Sequence, residues 1–344
     1  MIFEKIPTVP TSKELLDKAF RRSVRARSGK IIKNDEDLKR AHESMIITSA
    51  NILSDNLTNI VRQFPSFDDL SPFYYKLVNI LSGVDKLKMA LSSVDWAGNK
   101  IHEISRESVG KIRANKDPLT IRKETFGRLS SIINSIEKDL LFLNVARNKF
   151  RKLPSISEDP TIIIAGYPNV GKSSFVSQIT TAHPKIAQYP FTTKGVIIGH
   201  FFVGNTRHQV IDTPGLLDRP MEDRNDIELQ AITALECLDA VVLFIIDPSE
   251  TCGYEMKDQE NMYKDIKKQF GLPILRVSNK SDIFKNESDV FDFKMSTKTG
   301  EGIETVIMRL IEMIREKPKP IKIDGINATH EEISHKVGDS NTWN

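Results

Sequence analysis

Gly166-Tyr167-Pro168-Asn169-Val170-Gly171-Lys172-Ser173 fits the phosphate-loop pattern G-x-x-x-x-G-K-[ST]. In such a loop, backbone N–H groups and the positive end of the following helix face the α- and β-phosphates of a nucleoside triphosphate. Gly166 permits the turn, and Gly171 lets the backbone approach the anion. Lys172 reaches the β- and γ-phosphates, the Ser173 hydroxyl completes a Mg²⁺ shell of oxygens and waters, and Ser174 beside it counts with the nucleotide contacts. Alone, this loop specifies only some triphosphate. Four further motifs follow it in turn: Thr192-Thr193, Asp212-Thr213-Pro214-Gly215, Asn279-Lys280-Ser281-Asp282 and Ser296-Thr297-Lys298. Their order and spacing are those of a guanine-nucleotide switch, and the expected chemistry is binding and hydrolysis of GTP.

Each motif has a separate task. Asp212, at the end of an apolar run, can hold the Mg²⁺ through water. Thr193, in a loop free to move, can add a further oxygen and close over the γ-phosphate, with Thr192 the competing choice. The Gly215 N–H can bond a γ-phosphate oxygen, so losing that phosphate releases both loops. Lys172, Thr193 and Gly215 are therefore the candidate catalytic groups, and Ser173, Thr193 and Asp212 the candidate metal ligands. Asp282 can accept from guanine N1–H and the exocyclic amine as a bidentate pair, whereas adenine would leave it unpaired. Asn279 and Lys280 frame the base and tie its loop to the phosphate loop, and a backbone N–H near Thr297 or Lys298, just after Ser296, would read O6. Leu216 stands where a glutamine would orient the attacking water, so intrinsic turnover is expected to be slow.

These motifs need elements to position them. Thr161–Ala165 reads as a short buried strand leading into the phosphate loop and a helix from about Lys172. Further strands are expected at about 196–203, 207–211, 240–246, 273–278 and 291–295, with helices at about 225–236, 256–270 and 301–315. Continuous apolar strands alternating with helices predict a P-loop α/β domain over 156–316, its mostly parallel sheet covered on both faces. The pair joined across Gly204-Asn205 is expected to be a hairpin that places one antiparallel strand in that sheet.

Residues 1–155 read instead as a helical-bundle domain. A capping box at Thr11–Glu14 opens the first helix, and a second runs from Asp35 to about Gln63, stopped by Phe64-Pro65. Pro72 opens a third, Gly83 and Gly98 mark interruptions, and a last helix is expected from Asp117-Pro118 to Leu153 along a stripe of Leu129, Ile132, Ile136, Leu140 and Leu143. Phe64, Phe67, Phe73, Tyr74 and Tyr75 are read as packing groups in preference to base-stacking ones. Residues 317–344 are expected to be a polar, flexible tail, and His330 and His335 within it have no companion ligands for a metal.

The 344 residues carry a net charge of +3 that hides an uneven distribution. Residues 1–153 hold 28 Lys and Arg against 18 Asp and Glu, a net +10, and the remainder is net −7. A basic helical part beside an acidic nucleotide part suggests an anionic partner for the former, or merely solvated basic faces. Two cysteines, Cys237 and Cys252, provide no disulfide framework, and the start of the chain lacks the layout of a signal peptide. A cytoplasmic protein without membrane or DNA partners is expected.

The runs Leu153–Ile156, Gly166–Phe175, Tyr189–Thr193, Gly199-His200, Val210–Asp218, Arg224–Glu228 and Ser249–Tyr254 resemble the nucleolar GTP-binding protein family, the Nog branch of the Obg-like GTPases. In the helical part Phe64–Phe67, Leu70–Tyr74 and Phe126–Arg128 add to the resemblance. It implies a role in assembling the large ribosomal subunit, with rRNA and the precursor subunit as partners beside GTP and GDP. The chain stops soon after the GTPase part, which resembles a compact archaeal version. A regulatory GTPase recruiting an unrelated protein or membrane partner is the alternative, and a tRNA-modifying GTPase a third, for which no Cys/His constellation is present. Some GTPases with a similar Pro-Asn-Val loop hold K⁺ with the asparagine. By that analogy Asn169 either binds K⁺ or only hydrogen-bonds the loop backbone.

Overall fold

Helical periodicity dominates the N-terminal part of the chain and strand-length apolar runs dominate the rest, and the structure follows that division. The computed structural model describes residues 3–28, 32–114, 116–180, 184–190, 195–220, 222, 224–284, 291 and 293–317. The helices of the first part are α1 (Ser12–Ser28), α2 (Asp35–Gln63), α3 (Pro72–Ser82), α4 (Val84–Arg113), α5 (Pro118–Ser135) and α6 (Glu137–Phe150). Their starts are chemically marked. The Thr11 N–H donates to Glu14 Oε2 at 2.8 Å and the Glu14 N–H to Thr11 Oγ1 at 3.3 Å, the reciprocal box expected there. Asn34 caps α2 by accepting from the Asp37 N–H, and Asp117 caps α5 by accepting from Leu119 and Thr120.

Two expectations about these helices fail. Gly98 does not interrupt α4; it is buried where α4 meets α2, and a Cβ built on it would stand 3.7 Å from Leu57 Cβ. Burial at that crossing outweighs the roughly 1 kcal/mol helix cost of one glycine. Gly83, at φ +75°, does separate α3 from α4. The single helix expected over 117–153 is instead α5 and α6, parted at Ile136. Leu129, Ile136, Leu140 and Leu143 of the expected stripe are buried across the break, with Ile133 buried in place of the half-buried Ile132, because an apolar stripe constrains which face packs and not whether the backbone runs on. Phe64, Phe67 and Phe73 are core residues, as expected, while Tyr75 is exposed.

The chain divides into two compact units: residues up to Leu70 with Val78–Lys152, and Ser71–Leu77 with residues from Leu153 onward. In the first, Ile46, Val109, Ile112 and Ile121 form a buried cluster with Phe126 packed on it. In the second, Tyr74 donates to Pro154 O at 2.9 Å and accepts from the Ile156 N–H at 3.0 Å. The neighbouring Phe73 ring lies 6.5 Å from that of Tyr189, whose hydroxyl donates to Ala231 O at 2.8 Å.

The second unit is built on a seven-stranded sheet in the order β2-β3-β4-β1-β5-β6-β7. Its strands are β1 (Thr161–Ala165), β2 (Lys185–Ala187), β3 (Val196–Val203), β4 (Thr206–Asp212), β5 (Ala240–Ile246), β6 (Ile274–Ser278) and β7 (Phe293–Lys294). β3 runs against both its neighbours and every other pairing is parallel, so one strand is antiparallel, as expected. The β3–β4 hairpin closes at Val203 and Thr206. The short edge strand β2 was not foreseen: Lys185 and Ile186 are exposed, and three residues carry no readable alternation. Helices α7 (Lys172–Ile179), α8 (Asp226–Leu235), α9 (Met256–Gln269) and α10 (Ile303–Glu316) complete the α/β unit. β1 and β5 are buried along their whole length. The carboxyl ends of β1, β4, β5 and β6 bring the motif loops together at one edge of the sheet, where open α/β sheets bind ligands.

Candidate nucleotide site

The phosphate loop leaves β1 at Gly166 and enters α7 at Lys172, and its conformation requires its glycines. Gly166 has φ +133°, and a Cβ there would stand 2.4 Å from Ile245 O. Gly171 has φ +109°, and a Cβ there would stand 2.1 Å from Asn279 Nδ2. Side chains rarely adopt either backbone, and in both places the space is already filled. Asn169 is exposed and also left-handed, at φ +64°. Lys172 is buried, and its ammonium donates to the Gly166 and Tyr167 carbonyls at 2.8 Å each. Pro168 is half-buried, Val170 is buried beneath the loop and Ser174 is exposed on α7.

Ser173 and Asp212 meet as the metal reading requires. The Ser173 hydroxyl donates to Asp212 Oδ2 at 2.8 Å, while the buried Asp212 Oδ1 has no hydrogen-bond partner. Burial pushes the Asp212 carboxyl above its usual range, against the pull of the Ser173 hydroxyl and the Lys172 charge. An unsatisfied buried carboxylate oxygen beside a hydroxyl is a donor set suited to a hard cation such as Mg²⁺. Thr192 and Thr193 lie outside the described residues.

On the base side, Asn279 ties three segments together. Its Nδ2 donates to Val170 O at 2.7 Å and to Thr297 Oγ1 at 3.0 Å, and its Oδ1 accepts from the Thr297 N–H at 2.9 Å. The buried Ser296 hydroxyl donates to Asp282 Oδ1 at 2.7 Å and accepts from the Lys298 and Thr299 N–H groups at 3.2 Å each. The carboxylate expected to read guanine is thus oriented by the same loop expected to read O6.

Lys280, at φ +64°, adopts a backbone uncommon outside glycine. Its ammonium donates to Asp247 Oδ2 at 2.6 Å and to Thr251 Oγ1 at 2.7 Å. Asp247 is buried at the end of β5. Burial alone would raise its carboxyl, but bonds from Lys280, Ser249 and the Cys252 N–H hold it below the usual carboxylate range. Gln259 of α9 accepts from the Asp247 N–H and donates to the Asp247 and Tyr254 carbonyls. The Tyr254 ring stacks on Tyr167 of the phosphate loop at 4.2 Å. Sequence reading treated Ser249–Tyr254 as a family marker and missed Asp247 and Gln259. The motif and Lys280 are both legible in the sequence, but not the contact of Lys280 with Asp247, 33 residues away.

The Asp212-Thr-Pro-Gly turn is held differently. The Gly215 N–H donates to Asp218 Oδ2 at 2.8 Å. Arg224, itself buried, donates to Gly215 O at 3.2 Å and Arg219 O at 2.9 Å. Arg219 pairs with Glu228 of α8, whose capping box with Asn225 is complete. Leu216 is fully buried, with its N–H donating to Thr213 O at 2.9 Å. Asp218 and Arg224 had no assigned role from sequence.

Family models match much of this chain. A family model described as the NOG1 N-terminal helical domain matches residues 3–157, and one for nucleolar GTP-binding protein 1 matches residues 226–282. A model described as ferrous iron transport protein B matches residues 160–252, the stretch holding the phosphate loop and the Asp212–Gly215 turn. An uncharacterized protein of Methanocaldococcus jannaschii is 40% identical over 83% of this chain and 82% of its own. Nucleolar GTP-binding protein 1 of Drosophila melanogaster is 36% identical over 83% of this chain and 45% of its own, so the chain spans about half the length of such nucleolar relatives. The crystal structure of a candidate nucleolar GTP-binding protein 1 of Plasmodium falciparum is 38% identical, covering 48% of this chain and 91% of that one at a TM-score of 0.44. The chain belongs to the nucleolar GTP-binding protein 1 family and is a P-loop GTPase.

Proposed function

We propose that this family member binds GTP with Mg²⁺, hydrolyses it slowly, and uses its nucleotide state to control docking on a precursor of the large ribosomal subunit in the cytoplasm. What carries the nucleotide reading is the interlock of Val170, Asn279 and Thr297, which joins the phosphate loop to both base-reading motifs through bonds of 2.7–3.0 Å. Asp282, held by Ser296, would accept from N1–H and the exocyclic amine of guanine. Lys172 would exchange the Gly166 and Tyr167 carbonyls for phosphate oxygens. Ser173 and Asp212 would hold the Mg²⁺, with Thr193 as a further oxygen. When bound, that ion supplies positive charge against the β- and γ-phosphates. Leu216 is apolar and buried, so the attacking water must be oriented by backbone, by a bound cation or by a partner. Slow intrinsic turnover follows.

The ribosomal partner rests on family membership and on the basic helical part. Arg21, Arg22 and Arg25 are exposed on α1, whereas Arg147 and Lys149 donate to the Ile6 and Leu81 carbonyls inside their own unit. The α1 face is therefore the one we assign to RNA phosphates. Among the described residues, no helix is long and apolar enough to cross a membrane. Sedimentation of tagged protein with GDP, GTP or a non-hydrolysable analogue should show large-subunit association that depends on the nucleotide and falls steeply with salt. Reversing Arg21, Arg22 and Arg25 to Glu should abolish it. Association that survives the reversal would leave those charges as a solvated face.

A further inference from the structure

The Gly215 N–H has a single hydrogen to give, and the protein already gives it to a carboxylate. Asp218 Oδ2 accepts it at 2.8 Å, three residues along the same turn. The carbonyl of Gly215 is fastened as well, by Arg224, which also grips Arg219 O. Gly215 itself has φ +82°, and a Cβ there would meet nothing within 4 Å. The turn is thus shaped by its polar contacts and not by crowding. Asp218 is half-buried on that same turn.

We propose that Asp218 sets the preference between GDP and GTP by competing with the γ-phosphate for the Gly215 N–H. This inference rests on reading the site as a guanine-nucleotide site. GDP has no third phosphate and leaves the Asp218 contact intact. GTP brings an anion that needs the same donor, so the carboxylate must be displaced, and once displaced it remains tethered nearby as a like charge. Asp218 is a specificity-determining residue in this account and touches no reacting atom. The plainer role, that of a side chain capping one turn of backbone, uses the same bond but makes a different prediction, since a cap stabilises the site for both nucleotides alike.

The test is to measure Kd for fluorescent GDP and for a fluorescent non-hydrolysable GTP analogue, with Mg²⁺, on the full chain and on Asp218→Ala and Asp218→Asn. A charge-assisted hydrogen bond is about twice as strong as a neutral one, so Asp218→Ala should raise analogue affinity relative to GDP about tenfold. Asp218→Asn keeps an acceptor oxygen and loses the charge; it should give a smaller rise of about threefold and guards against a folding defect in the alanine variant. Both affinities falling by the same factor, an unchanged ratio, or a preferential loss of the analogue would overturn the proposal. If the unsubstituted chain binds neither guanine nucleotide, the reading of the site fails and takes this inference with it. Binding with an unchanged ratio sinks the inference alone.

Discussion

The two sides of the nucleotide site are built on different principles. On the base side, Asn279, Ser296 and Asp247 are buried and bonded to protein groups, and the Thr297 and Lys298 N–H groups expected to read O6 already donate to Asn279 and Ser296. Asn279 holds Val170 and Thr297, Ser296 orients Asp282, and Asp247 anchors Lys280. On the phosphate side, the groups expected to meet anions hold protein oxygens in the same positions: Lys172 holds two carbonyls and the Gly215 N–H holds a carboxylate. The frame around Asp282 and Lys280 is therefore preorganised, and it costs little rearrangement. The response to the third phosphate is an exchange of one set of oxygens for another. Only an exchange of that kind can make the turn's conformation depend on which nucleotide is bound, because a ligand shifts an equilibrium only by its differential affinity for the two states.

That contrast can be broken first at Asp282. Asp282→Asn should lower GTP affinity on the order of a thousandfold and move preference toward XTP, because xanthine carries an oxygen where guanine has its exocyclic amine. Competition with GTP, XTP and ATP reads the change, and an unaltered GTP preference would mean the base lies elsewhere. Next comes Asp247, whose removal leaves the largely enclosed Lys280 ammonium without its carboxylate. Asp247→Ala should cost about 3 kcal/mol in urea unfolding and weaken GDP and GTP alike. If stability and affinity hold, the base frame is less rigid than its hydrogen bonds imply. The smallest effect sharpens the phosphate side. Asn169 is exposed in a left-handed backbone, and if it helps hold K⁺ there, hydrolysis should run up to about tenfold faster in K⁺ than in Na⁺ at equal ionic strength. Asn169→Ala should remove the difference. Equal rates in both salts would assign catalysis to backbone positioning or to a ribosomal partner.

Much of this molecule is legible without coordinates. The phosphate loop, Thr192-Thr193, the Asp212–Gly215 turn and the two base-reading motifs each require particular residue types at particular spacing, so five short stretches in order already specify a guanine-nucleotide switch. β1, β3, β4, β5 and β6 were readable as apolar runs, and the start of α1 from its capping box. What the tertiary structure alone decided are contacts between distant residues and breaks that burial does not predict. Asn279 ties the base loop to the phosphate loop, as its motif implies, but that it does so at Val170 O with its amide in the space a Cβ on Gly171 would take is visible only in the fold. Lys280 finds Asp247, α5 and α6 part at Ile136 while their apolar stripe continues, and α4 runs straight through Gly98. Periodicity reports which face of an element is buried, and a motif reports which chemistry is available. Neither reports which polar group will meet which partner, because that follows from the packed positions of several elements at once.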